Sequence, residues 1–389
     1  MADLAARLAN LSPDKRARLI AELARRGQGS ARTAAPEKQG PPSAEWEHYC
    51  CVLGTPGHFD GIRFREMAVT APGPGQIQIR AHAVSLNFRD LMIAMGLYPP
   101  TPGVPSVMGS DYSGTVVACG DGVTEFVPGD EVMALSAGHV TPEGGLVEGS
   151  HFSATINVLA LQAVRKPPAL SHESAAGVPT VYLTSYYALH YLARLAAGER
   201  VLIHSATGGV GLASIEIARW LGAEIFATAG SDAKRDHLKS IGIDGPLDSR
   251  STAFAERIME RTGGEGIDVV LNTLSGTAAD RGIAILRSFG RFLQIDKQDI
   301  ARNAPLGLGP FKHGLTFAAI DLSLFVLQPQ RLRLLLAEVA AHLEAGDFAP
   351  VVTRAFPIER LGEALTLMSR YQHVGKLVLT FDRGGAAHE

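Results

Sequence analysis

Near the middle of the chain the apolar run Val201-Leu202-Ile203 gives way, past His204 and Ser205, to the small-residue turn Ala206-Thr207-Gly208-Gly209-Val210-Gly211, and a helix-forming stretch follows. Small residues let a backbone approach a phosphate, and the free N–H groups and positive dipole at the start of the next helix stabilise its charge. Against the dinucleotide-binding fingerprint, Ala206 stands in place of the first glycine, while Gly208 and Gly211 keep the second and third. A tight strand-to-helix turn without a ligand would use the same glycines, so the surroundings have to separate the two readings. About 20 residues on, an NAD site carries an Asp or Glu for the adenosine ribose. Here the chain reads Ala227-Thr228-Ala229-Gly230-Ser231, then Lys234 and Arg235, with Arg250 further along. Hydroxyl and cationic groups suit a 2′-phosphate, because charge-assisted bonds offset its desolvation. NADPH is therefore the expected cofactor, with Ser231, Lys234 and Arg250 at its phosphate, although Lys234 by itself would equally serve as a solvent-facing helix lysine. Two further charges stand out by context. Lys297 follows the strand-like run Arg291 to Ile295, where ligands of such sheets collect. Asp321 lies within the apolar run Leu315 to Phe325, where a charge needs a partner. As an alternative, Asp321 would simply cap the helix that follows it.

These residues must be positioned by two kinds of element. From Trp46 to about Pro168 short alternating runs such as Gln76-Ile77-Gln78-Ile79-Arg80, broken by turns such as Gly120-Asp121-Gly122, predict an antiparallel, barrel-like region. From Ser171 onward strands and helices alternate: strands at 200–204, 224–228, 268–271 and 291–295, helices at 210–221, 232–241 and 277–288. Such alternation predicts a parallel, doubly wound α/β sheet. A long helix near 330–345 and a closing strand from Lys376 to Thr380 complete the chain, the last returning to the barrel. Residues 3–26 read as two short helices, with Ser12 as N-cap and Pro13 at the first helical position. Residues Gln28 to Ser43 are rich in Gly, Ser, Ala and Pro and read as a linker. The expected division is an extension and linker at 1–43, the first part of the barrel domain at 44–171, the nucleotide domain at 172–311, and a return to the barrel domain at 312–389.

Composition narrows the partners. The 36 basic and 39 acidic residues leave a formal charge of −3, which provides no footprint for nucleic acid or an anionic membrane. Three cysteines, two of them neighbours at Cys50 and Cys51, cannot build a disulfide framework or a four-cysteine zinc site. The 13 histidines form no ligand cluster by spacing, so no metal is expected. His204, at the end of a strand, is expected to pack or hydrogen-bond beneath the glycine turn. With no membrane-length apolar run and no hydrophobic signal core, the expected location is the cytoplasm.

Several segments together resemble the enoylreductase domains of modular polyketide synthases, within the zinc-independent, quinone oxidoreductase-like branch of the medium-chain dehydrogenase/reductase superfamily. They are Asn87-Phe88-Arg89-Asp90 with Gly96-Leu97-Tyr98-Pro99, the run Gly109 to Gly129, Pro179 to Thr184, the Gly208-Gly209-Val210-Gly211 turn, Val270-Leu271-Asn272-Thr273-Leu274, and a lysine at 297. The resemblance runs from Ala44 to the C-terminus. It implies a GroES-like barrel domain, a nicotinamide-binding Rossmann domain, and an active site between them. It implies cofactor contacts from Asn87, Thr184, Ala206, Thr207, Gly208, Gly209, Val210, Gly211, Ser231, Lys234, Arg250, Asn272 and Leu274. It also implies reduction of an enoyl thioester carried by an acyl carrier protein or coenzyme A. Hydride delivered to the β-carbon leaves an enolate that must be stabilised and protonated at the α-carbon. Tyr98 matches the family's proposed proton donor, Lys297 its lysine and Asp321 the aspartate that orients it. A tyrosine in a turn that merely packs on the barrel is the alternative for Tyr98. The first zinc-ligand position of related alcohol dehydrogenases falls here at Leu86-Asn87-Phe88. Departures are Ile295-Asp296-Lys297, where Met-Gly-Lys is usual, and Asp111, where Glu is common; the first bears on the placement of Lys297. Retention of Tyr98 is compatible with an ordinary reductase and with the family's cyclopropane-forming variant. A quinone or enone reductase of the same superfamily, and an inactive nucleotide-binding module docked through residues 3–26, are the competing functions. Oligomeric state is open.

Overall fold

The computed structural model describes residues 39–40, 48–52, 54–98, 108–136, 139–140, 146–147 and 152–381. The helices expected within residues 3–26 and most of the linker lie outside them.

The alternating segment of the sequence forms a seven-stranded sheet. Its path runs Ala163–Arg165, Glu131–Leu135, Asp111–Cys119, Gln76–Ser85, Lys376–Thr380, Thr353–Pro357, and Thr155–Leu159 also pairs with Gln76–Ser85. Pairing is antiparallel throughout except between the last two strands of the path. In Gln76–Ser85 the apolar side chains Ile77, Ile79 and Ala81 are buried and alternate with exposed or half-buried Gln78, Arg80 and His82. That is the signature of a sheet with one face on a core. The closing strand does return to the barrel, with Val378 opposite Ser85 and Thr380 opposite Ala83.

The second sheet has six strands in the order Leu247–Asp248, Glu224–Ala229, Arg200–Ile203, Ile267–Asn272, Leu286–Gln294, Thr316–Ala319, all parallel. By order of appearance this is 3-2-1-4-5-6, the dinucleotide-binding arrangement, whose ligand crevice opens where the order reverses, between Arg200–Ile203 and Ile267–Asn272. Helices cover both faces, so the central strands are apolar without alternation. Val201 and Ile203 join Val269, Leu271 and Leu293 in one core, while Leu202 joins Val270, Phe292, Phe226 and Phe254 in the other. The helix Pro329–Ala345 buries Leu332, Leu335, Leu336, Val339 and Leu343 at helical spacing, and Gly346 ends it in the left-handed conformation at φ 80°.

Two boundaries differ from those expected. Thr316–Ala319 pairs in parallel with Arg291 to Gln294, so the nucleotide sheet continues past residue 311 before the chain goes back to the barrel. The helix expected at 277–288 ends at Ala284, and the next strand begins at Leu286 rather than Arg291. A register shift in its pairing with Ile267–Asn272 and the positive φ of Phe289 (66°) break the strand pattern there. Among the described residues no helix is long and apolar enough to cross a membrane.

Candidate functional site

The glycine turn sits at the C-terminal end of Arg200–Ile203, and Gly208 caps the helix Gly209–Trp220. A Cβ on Gly211 would stand 2.5 Å from Ala206 Cα, so this glycine is what allows the helix to lie against the turn. Ala206 stands where a first glycine is usual without adopting a left-handed backbone, because the left-handed residue of the turn is its neighbour Ser205, at φ 51°. The Ser205 hydroxyl accepts a bond from Thr273 Oγ1 at 2.9 Å. Gly209 is constrained differently: a Cβ there would meet Lys376 Cδ at 2.8 Å and Val181 Cγ1 at 2.9 Å. Gly211→Ala is therefore expected to push the helix start away from the turn and weaken NADPH binding about tenfold, the equivalent of ~1.4 kcal/mol of overpacking. Fluorescence titration checks the affinity, with thermal denaturation beside it to separate local displacement from unfolding.

Ser231 caps the helix Asp232–Ser240 after the second strand, and its hydroxyl accepts from Lys234 N. Lys234 is half-buried; burial, and then the nearby Arg250 guanidinium, lower its ammonium from the ordinary lysine value. Among the described residues no carboxylate pairs with either side chain, whereas Arg235 beside them is paired with Asp232 and Asp248. Two cations held together without an anion at this end of the sheet fit the 2′-phosphate of NADPH.

Of the other expected cofactor residues, Asn87, Thr184, Thr207 and Asn272 are buried, and Val210 and Leu274 are half-buried. Asn272 Nδ2 donates to the Leu274 carbonyl at 2.6 Å, so Asn272 shapes the Leu274 loop. The Thr184 hydroxyl donates to Thr180 O within the helix Pro179–Tyr186. Thr207 is buried and accepts from Gly375 N at 2.8 Å. Val210 accepts from the Ser185 hydroxyl. Asn87 begins the helix Phe88–Ala94 in a capping box with Asp90, and its amide belongs to a buried network. In that network Lys376 Nζ donates to Leu86 O at 2.9 Å and Asn87 Oδ1 at 2.6 Å, and lies 3.4 Å from Asp111 Oδ2. Asp111 also accepts from Asn87 Nδ2 at 2.9 Å and from Thr180 Oγ1 at 2.6 Å. Burial lowers the Lys376 ammonium, and Asp111 and Asp90 oppose that. Burial also pushes the Asp90 carboxyl up to about 6, although Arg89 and the N–H groups of Asn87 and Gly109 pull it down. Sequence reading passed over Lys376 and Thr180; the signal for the first was a lysine opening the otherwise apolar strand Lys-Leu-Val-Leu-Thr.

Tyr98, Lys297 and Asp321 come together. Lys297 Nζ donates to Tyr98 Oη at 3.0 Å and pairs with Asp321 Oδ2 at 2.7 Å. Lys297 and Asp321 each follow the C-terminal end of a parallel strand, and Tyr98 reaches them from the barrel domain, 199 residues from Lys297 in sequence. Asp321 also caps the turn Leu322–Leu327, accepting from Ser323 N at 2.9 Å and Ser323 Oγ at 2.6 Å. Capping and pairing thus coexist in one carboxylate. Burial would raise its carboxyl, but Lys297 and Ser323 outweigh that and hold it below the ordinary value. An ionised carboxylate, an ammonium and a phenol in series can hold negative charge on a bound oxygen and relay a proton. His204 is remote from this chemistry: its Nδ1 bonds Thr228 Oγ1 at 3.0 Å, its ring meets Phe254 edge-on, and burial depresses it to about 3.

Residues 73–145 match the alcohol dehydrogenase GroES-like domain and residues 241–379 the zinc-binding dehydrogenase family. Among the described residues no three His, Cys, Asp or Glu side chains are grouped as metal ligands. The chain is 41% identical over 334 residues to phthioceranic/hydroxyphthioceranic acid synthase of Mycobacterium tuberculosis, covering 86% of this chain and 15% of that protein. It thus spans about 15% of the length of the curated relatives it matches. Of solved structures, CurK enoyl reductase superposes with a TM-score of 0.76 at 33% identity, covering 86% of this chain and 99% of that one. The CurF cyclopropanase of the curacin A pathway superposes with a TM-score of 0.77 at 28% identity over the same shares.

Proposed function

The chain belongs to the polyketide synthase enoylreductases of the medium-chain dehydrogenase/reductase superfamily, and from that premise we propose that it reduces the α,β double bond of an acyl thioester. Bound NADPH supplies the hydride, delivered to the β-carbon. The chain's own residues handle the rest. Ala206 to Gly211 and the Leu274 loop line the crevice at the sheet's switch point, and Ser231, Lys234 and Arg250 hold the 2′-phosphate. Negative charge then develops on the thioester oxygen. Lys297, paired with Asp321, stabilises that charge, and the proton reaches the α-carbon from Tyr98 or from Lys297 through it. The observation that carries this reading is Lys297 Nζ placed between Tyr98 Oη and Asp321 Oδ2 at the carboxyl ends of the strands. The thioester is carried on an acyl carrier protein or on coenzyme A.

The test is oxidation of NADPH by the purified protein with crotonyl-coenzyme A and with a pantetheine enoyl thioester, beside a quinone and beside NADH. Oxidation that requires the thioester and is faster with NADPH is the expected result. Turnover of the quinone alone would replace this reading with that of a quinone reductase.

A further inference from the structure

Three neighbouring strands deliver the proposed chemistry: Ile267–Asn272 leads into the Leu274 loop, Leu286–Gln294 into Lys297, and Thr316–Ala319 into Asp321. Backbone pairing continues by one bond past the strand ends, Ile295 N to Asn272 O at 2.9 Å and Ile320 N to Gln294 O at 2.8 Å, and beyond that other contacts have to fix the spacing of the segments that leave them. Gln294 ends the middle strand, is 3% exposed, and touches all three exits. Its Oε1 accepts from Asn272 Nδ2 at 2.7 Å, and Asn272 holds the Leu274 carbonyl at 2.6 Å. Its Nε2 donates to the carbonyl of Asp296 at 3.0 Å, the residue before Lys297. Its backbone carbonyl accepts from Ile320 N at 2.8 Å, the residue before Asp321. Asp296 adds a second restraint, since its carboxylate accepts from Gln298 N at 3.0 Å and so turns the chain at Lys297.

We infer that Gln294 is a positioning residue that sets the Lys297–Asp321 pair at a fixed height above the Leu274 loop, and so above the bound cofactor. The inference rests on the assignment of Lys297 and Asp321 to the reaction. An amide carries an acceptor and a donor on one planar head of this reach at every pH. A methionine of similar volume leaves the Asn272 amide and the Asp296 carbonyl each one partner short. A glutamate behaves in two ways. Burial in this place pushes the introduced carboxyl up. While protonated it has one acceptor for Asn272 and one donor for Asp296, and both bonds are kept. Once ionised it sets an acceptor against the Asp296 carbonyl, and the segment bearing Lys297 is displaced.

The experiment is kcat against pH from 6 to 9 for the wild type, Gln294→Met, Gln294→Glu and Lys297→Ala, with NADPH and a pantetheine enoyl thioester at saturation. Gln294→Met is expected to lose about tenfold in kcat at every pH, a modest share of the ~100-fold that a 1 Å misplacement can cost. Gln294→Glu is expected to match the wild type at the acid end and to fall about tenfold as pH rises through the introduced carboxyl's titration. A merely structural role would move stability and leave the shape of this profile alone. Wild-type kcat in Gln294→Met, or a Gln294→Glu profile parallel to that of the wild type, overturns the inference. If Gln294→Met does not fold, the Gln294→Glu profile decides. Failure of the underlying reading is seen separately, as undiminished kcat in Lys297→Ala; impaired Lys297→Ala beside unimpaired Gln294 variants removes the inference alone.

Discussion

Replacement of Lys297 by alanine is expected to lower kcat for the enoyl thioester by about 10²–10³-fold while leaving the Kd for NADPH within about a factor of two. The argument is geometric. Lys297 Nζ contacts both Tyr98 Oη, at 3.0 Å, and Asp321 Oδ2, at 2.7 Å. In the proposed mechanism, removing it takes away the group that faces the developing enolate, and a loss of this size is what deletion of one such donor costs. It also takes from Asp321 its ion pair, leaving the bonds from Ser323, and from the Tyr98 hydroxyl the bond from Lys297. The residues proposed to hold the phosphate are untouched, since Ser231, Lys234 and Arg250 follow other strands of the sheet. Stopped-flow single turnover with NADPH prebound measures the chemical step directly, and a fluorescence titration measures the affinity. A single-turnover rate equal to the wild type would remove Lys297 from the mechanism. An equal loss in rate and in NADPH affinity would instead mean that the site had collapsed.

Much of the frame that holds this cluster was legible before any coordinates. Period-two alternation at Gln76 to Arg80 and unbroken apolar strands such as Val201-Leu202-Ile203 report one-sided and two-sided burial respectively, and burial is what strand patterning encodes. The strand start at Leu286 was less legible, because Ile283, Ile285 and Leu286 suit the inner face of a helix as well as the start of a strand. The glycine turn is local and could be read; where its strain falls could not, since Ser205 carries the positive φ and nothing in its type announces that. The site itself divides in the same way. Lys297 and Asp321 could be suspected one at a time, from a position after a strand and from a charge in an apolar run. Their meeting with Tyr98 came only through resemblance to a family, because no local pattern links residues 199 apart. The joining of Asn87, Asp111, Thr180 and Lys376 into one buried set was hidden for that reason too: Asn87 and Asp111 stood out singly and Lys376 opens an apolar strand, but only tertiary packing gives Lys376 its acceptors. Gln294 was hidden more simply. A glutamine at a strand end reads as a solvated edge, and here two flanking strands bury it.

Cofactor choice should be the second large effect. The double substitution Lys234→Ala with Arg250→Ala is expected to raise the KM for NADPH about 100-fold and to change that for NADH by less than about threefold. Each charge-assisted bond to a phosphate contributes about 1.5–3 kcal/mol, so losing two partly exposed ones corresponds to about 2.7 kcal/mol after solvent screening. The same substitution relieves a repulsion in the free protein, because Arg250 is one of the causes that lower the Lys234 ammonium. The variant should accordingly be no less stable than the wild type when NADPH is absent, and less stabilised when it is added. Thermal denaturation with and without each nucleotide checks that sign, and steady-state kinetics with both nucleotides check the ratio. NADH should not gain in absolute terms, since no acid stands at the end of Glu224–Ala229 to accept from its ribose hydroxyls. Parallel losses with the two nucleotides would place Lys234 and Arg250 at the shared pyrophosphate, and the preference for NADPH would then have to come from Ser231 and the backbone of the turn around it.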